Sequence, residues 1–149
     1  MALNVTRRDG TDNALAVETV LDSMPYGMCL WGKDHTILLF NHAYAAAFGL
    51  EEGRLRAGMH LREAIKLVLD AGNYFGYSVD DLYENMLERF DRQVEGALPR
   101  EYQQVLRDRN IRTTYSARAG LGWLVTHEDI TDANDHITAL SRREAELAK

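Results

Sequence analysis

The sequence predicts an α+β fold: one five-stranded antiparallel sheet, helices inserted between strands two and three, and a flanking helix at each end. Three observations carry that prediction. Two short apolar runs, "MCLWG" at 28–32 and "ILLFN" at 37–41, are joined by the turn residues "KDHT", as in a hairpin. From 42 to 96 the apolar residues switch to helical spacing. After Pro99 the chain returns to β-rich runs punctuated by glycine, ending in "GWLVTHEDIT" at 122–131. Helix, two strands, a block of helices, three strands and a helix make an α+β plan around one core.

Taken in order, residues 1–12 are polar and expected to fray. Leu15, Val17, Val20, Leu21 and Met24 give a helix over 13–24, which Pro25 and Gly27 stop. Neither hairpin strand alternates with polar residues, so both faces of the sheet are expected to be covered. Asn41 is a good N-cap for "HAYAAAFGL", where Tyr44, Ala47 and Phe48 share a face and Gly49 ends the helix. After the loop "EEGRLRAG", residues 59–72 place Leu61, Ile65, Val68 and Leu69 on one face. "NYFGY" at 73–77 is an aromatic link with a glycine. Ser78 and Asp81 have capping-box spacing and open a helix expected over 79–96, striped by Val79, Leu82, Tyr83, Met86, Leu87, Phe90 and Val94. The third strand alternates through either Tyr102, Gln104 and Leu106 or Gln103, Val105 and Arg107. Arg109 and Asn110 stand where a tight hairpin turn is expected, and "AGLG" at 119–122 marks the next. From Thr131 the pattern is helical to Lys149.

The totals exclude several classes. A net charge of −6, with basic pairs only at Arg7-Arg8 and Arg142-Arg143, argues against nucleic acid as a partner. The single cysteine, Cys29, rules out an internal disulfide and a cysteine-rich zinc site, and suits a reducing cytoplasm. No apolar run approaches the ~20 residues of a membrane span, so direct membrane insertion of this segment is not expected. An anchor elsewhere in a longer parent chain is left open.

Three segments, "VLDSMPYGMCLWGKDHTILLFNHAYAAAFGL", "GMHLREAI" and "GWLVTHEDIT", resemble in order the PAS sensor domains of bacterial histidine kinases and diguanylate cyclases. The likeness covers roughly residues 14–135. It implies a PAS domain over 25–131, a flanking helix at 13–24, and a signalling or coiled-coil helix at 132–149 that is expected to be truncated. It also implies a sensory and dimerisation module, not an enzyme, relaying ligand or partner state to a histidine kinase or cyclic-di-GMP output domain of the same parent chain. The expected setting is cytoplasmic. Two alternatives stand beside this: a ligand-free dimerisation module, and a small cone-fold enzyme using His127 and Asp129 as an acid–base pair.

On the same resemblance, Asp129, Ile130 and Thr131 form a joint that hands force from the last strand to the exit helix. An N-cap there would fix the helix angle. Ile130, Ala133, Ile137, Leu140, Glu144 and Leu147 are spaced 3, 4, 3, 4, 3, a heptad seam with one charged member. Ala14, Val17, Leu21 and Met24 make a second seam. A symmetric homodimer through Val17, Leu21, Met24, Ile137 and Leu140 is therefore expected. A cavity between sheet and helices would be lined by Leu30, Leu39, Tyr44, Phe48, Leu61, Ile65, Leu69, Tyr115 and Val125, with solid core as the alternative. The cofactor is unassigned. None is the first expectation; haem, with His42 or His60 as axial ligand, and noncovalent flavin are the alternatives. The helix that carries the reactive cysteine in photochemical flavin relatives has none here, so Cys29 reads as a small core residue. His127 and Asp129 alone are too few ligands for a metal. With no phosphate loop and no nucleophile–base pair, no catalytic residue is assigned.

Overall fold

The computed structural model describes residues 10–94 and 96–133. The elements are α1 (Gly10–Ser23), β1 (Gly27–Gly32), β2 (Ile37–Phe40), α2 (His42–Ala47), α3 (Leu61–Asp70), α4 (Val79–Arg92), β3 (Arg100–Leu106), β4 (Arg109–Arg118) and β5 (Gly122–Asp129). The strands form one antiparallel sheet in the order β2-β1-β5-β4-β3, so the last strand lies at its centre. The fold is α+β, as the sequence predicts.

Local chemistry explains the boundaries. Asn41 is buried and does more than cap α2. Its Oδ1 accepts from the Tyr44 amide at 3.1 Å and the Met28 amide at 2.8 Å, and its Nδ2 donates to the carbonyls of Leu21 and Tyr26. One side chain thus ties the end of α1 and the start of β1 to α2. A Cβ at Gly27 would sit 2.9 Å from the Tyr44 Cα, so only glycine lets α2 lie this close to β1. The capping box of α4 forms reciprocally between Ser78 and Asp81.

Three boundaries differ from expectation. The helix α1 begins at Gly10, inside the stretch expected to fray. The helix α4 stops at Arg92, because Gln93 is extended and its carbonyl accepts from the Trp123 indole at 3.3 Å. The β3–β4 turn is Arg107-Asp108, both with positive φ (50° and 63°), while Arg109 and Asn110 already pair within the sheet. Two left-handed residues suit the twist of a two-residue hairpin.

The inner face of the sheet carries Cys29, Trp31, Tyr115, Val125 and, on β3, the Tyr102–Gln104–Leu106 phase; α2, α3 and α4 pack over it. The outer face carries Met28, Leu30, Leu39 and Leu124, all half-buried, and Leu38 is 44% exposed. Among the described residues the outer face is thus half-buried rather than fully covered. The helix α1 leaves Leu15, Val17 and Val20 about half exposed (57%, 48% and 54%). No helix among the described residues is long and apolar enough to cross a membrane. The expected exit helix beyond Ala133, with Ile137 and Leu140, lies outside the described residues.

Candidate functional site

A cavity of about 300 Å³ lies between the sheet and the helices. Its floor is Trp31, Gln104 and Tyr115 from the sheet. Leu61, Ala64, Ile65 and Val68 of α3, with Leu82, Asn85, Met86 and Arg89 of α4, form the roof. Tyr44, Phe48 and Leu55 close one side, and Tyr74, Tyr77 and Val105 complete the wall. Tyr77 and Val105 are more than half exposed and mark the rim.

Of the nine residues expected in the lining, Tyr44, Phe48, Leu61, Ile65 and Tyr115 are there. Val125 is buried on the same sheet face, in register with Cys29 and Tyr115, but does not reach the space. Leu69 packs against the core off the cavity. Leu30 and Leu39 are corrected: they pair with each other on the outer face. A strand apolar at every position gives no phase, and the choice of Leu30 over its neighbour Trp31 took the wrong one.

The polar groups of the wall are ordered. The Tyr74 hydroxyl donates to Gln104 Oε1 at 2.8 Å, and Gln104 Nε2 donates to Thr113 Oγ1 at 2.7 Å. Arg89 lies over the rings of Tyr102 (4.2 Å) and Tyr115 (5.5 Å) and donates to the Tyr115 hydroxyl at 3.4 Å. Burial raises the pKa of Tyr44, Tyr74 and Tyr115, so the phenols stay neutral. Sequence reasoning missed Arg89, which follows Met86 by three residues on the α4 face and was discoverable by that spacing.

No histidine is among the lining residues. His60 caps α3, its Nδ1 accepting from the Arg62 amide at 3.1 Å, and His42 is exposed. Neither is placed to ligate a haem in this cavity, so the residues do not fit that cofactor. Cys29 is buried, and desolvation pushes its thiol pKa up. Among the described residues no group of three His, Cys, Asp or Glu side chains is disposed to hold a metal ion.

His127 stands behind the cavity wall. Its ring stacks on Tyr44 at 4.7 Å and meets Phe48 edge-on at 5.1 Å. Burial lowers its pKa to about 4, and its Nδ1 has no hydrogen-bond partner among the described residues. Asp129 is engaged elsewhere: Oδ2 accepts from Arg109 Nε at 2.8 Å and Oδ1 from the Thr131 amide at 3.0 Å. Desolvation raises the Asp129 pKa, but the bonds from Thr131 and Arg109 outweigh it and bring it to about 2. The two side chains thus form no acid–base pair. Thr131 Oγ1 in turn accepts from the Asn110 amide at 2.8 Å, and the Ile130 amide donates to the Asn110 carbonyl at 2.8 Å. The end of β5 and the helical residues Thr131–Ala133 are therefore clamped to the start of β4.

A family model for the PAS fold matches residues 21–137. No curated protein matches. Among solved structures, the PAS domain of BvgS from Bordetella pertussis is 20% identical, with 91% of this chain and 98% of that one covered at a TM-score of 0.57. A C-terminal domain from Streptococcus mutans is 16% identical, covering 82% and 88% at a TM-score of 0.58. The PAS domain of a Colwellia psychrerythraea protein is 14% identical, covering 80% and 98% at a TM-score of 0.51. With the family model spanning most of its length and the sheet order and cavity in place, the chain belongs to the PAS fold family, a sensory module of signalling proteins.

Proposed function

We propose that this chain senses the occupancy of its cavity and relays it through Asp129, Ile130 and Thr131 to a C-terminal helix and an output domain, a histidine kinase or a cyclic-di-GMP enzyme of the same parent chain, in the cytoplasm. One observation carries the reading. Tyr44 and Phe48 line the cavity and also pack on His127, two residues before Asp129 on the same strand. A ligand that shifts either ring is felt at the base of the exit helix through contiguous packed groups. Such a ligand moves the equilibrium only as far as it binds the two states differently.

The test is hydrogen exchange at the Ile130 and Thr131 amides. Ala64→Phe, which fills the cavity from α3, is expected to change their protection, and Asp129→Ala to remove the response. Unaltered protection in the filled variant would separate the cavity from the exit and sink the relay.

The module is proposed to act as a homodimer. The exposed Leu15, Val17 and Val20 of α1 and the half-covered Leu30, Leu38 and Leu39 of the sheet support this. Val17 and Leu21 line a groove between α1 and β2, and Met24 is half-buried at the end of the helix.

A further inference from the structure

We propose that the cavity takes a small organic carboxylate with an apolar or aromatic tail, its anionic end held by Arg89 and Tyr115. The proposal rests on the sensory reading of the cavity and names the ligand chemistry that reading lacks.

The hydrogen-bonding capacity of the wall is only partly spent. Gln104 is used on both sides of its amide, accepting from Tyr74 and donating to Thr113, and the Tyr74 proton is used on Gln104. Apart from the Tyr44 hydroxyl, which can donate or accept, what remains deep in the wall is donor. The Tyr115 oxygen accepts from Arg89, and its own proton meets no acceptor among the described residues. The Trp31 indole N–H, on the same floor, is buried with the Tyr44 hydroxyl as its neighbour. Arg89 brings five N–H donors and a permanent charge. No carboxylate of the described residues forms an ion pair with Arg89, and unlike Arg54, Arg56, Arg100, Arg107 and Arg118, which also lack one but are exposed, Arg89 is half-buried in the cavity wall. The rings of Tyr102 and Tyr115 hold its guanidinium in place before any ligand arrives. A wall that offers fixed donors and one positive charge selects an acceptor with negative charge. The remaining lining, including Leu61, Ile65, Val68 and Met86, is apolar and selects the tail. The volume lies at the low end for small-molecule sites, so the acid is small.

The experiment compares acids with their isosteric neutral amides on the 149-residue chain. Thermal unfolding is followed with 4-phenylbutyrate against 4-phenylbutyramide, and hexanoate against hexanamide. At least one acid is expected to raise the midpoint with concentration while its amide does not. Arg89→Met is expected to weaken the acid about tenfold or more. Arg62→Met, which breaks only a surface ion pair, should leave binding unchanged, and Ile65→Trp should abolish it by filling the space. Acid and amide binding equally, both lost in Ile65→Trp, would keep the cavity as a ligand site and overturn the carboxylate. An acid that binds Arg89→Met as well as wild type would overturn the role of Arg89. If neither acid binds, the carboxylate proposal falls. The sensory reading falls with it only if Ala64→Phe also leaves the Ile130 and Thr131 amides unchanged. The acid–amide comparison uses the wild-type chain, so it does not depend on any variant folding.

Discussion

His127 is an imidazole held between two aromatic rings with almost no water around it. Burial lowers its pKa from the ordinary 6.5 to about 4. Between those values the unfolded chain takes up a proton that the folded chain refuses. The stability it contributes is therefore complete above pH 6.5 and is lost as pH falls toward 4, roughly 3 kcal/mol across the window. The urea midpoint is expected to drop between pH 7 and 4.5, and His127→Phe, which keeps the ring packing, should flatten that slope. An unchanged slope would assign the effect to another group. Asp129 does not mask it: its contribution is present above its ordinary pKa of 3.8 and lost only as pH falls toward about 2. At this scale the sequence was half legible. The Asp129–Thr131 cap follows from residue type, and the structure shows its bond from the Thr131 amide. That His127 is buried against Tyr44 could not be read, because a histidine in a polar run looks the same whichever face it takes.

The helix α4 is fastened at its two ends in different ways. Its N-terminus has the capping box and a surface ion pair between Asp80 and Arg62. Near its C-terminus, Phe90 is its one fully buried residue among those described, stacked on Trp123 at 4.6 Å and close to Trp31 and Tyr115. Phe90→Ala should cost about 3–5 kcal/mol in urea unfolding. A loss below 1 kcal/mol would mean the ring is not the anchor. The helices were legible because period and caps agree: Ser78 with Asp81, Asn41 with Tyr44. The strands were legible as strands but not in phase. Leu30 and Leu39 were assigned inward because an apolar run carries no alternation. The third strand, which does alternate, offered both phases, and only the tertiary fold selects Tyr102, Gln104 and Leu106.

At the scale of the molecule, the outer face of the sheet and α1 expose apolar groups among the described residues, and the proposed second copy would cover them. Light scattering is expected to give a dimer mass for the wild-type chain and a monomer for Val17→Glu or Leu21→Glu. A dimer unaffected by both substitutions would remove α1 from the interface. The architecture was legible from element order; the interface through Val17, Leu21, Met24, Ile137 and Leu140 was expected from two apolar seams, and a seam by itself does not say which surface it meets, so the light-scattering masses decide it. The shared ring of Tyr44 has one more consequence. Any coupling between cavity and exit strand is reciprocal, because the same free energy must appear whichever end is perturbed. On the proposed relay, a partner that pulls on β5 would change ligand affinity by the factor with which the ligand changes the partner's grip. Affinity is then a property of the assembly in which the domain is measured, not of the domain alone.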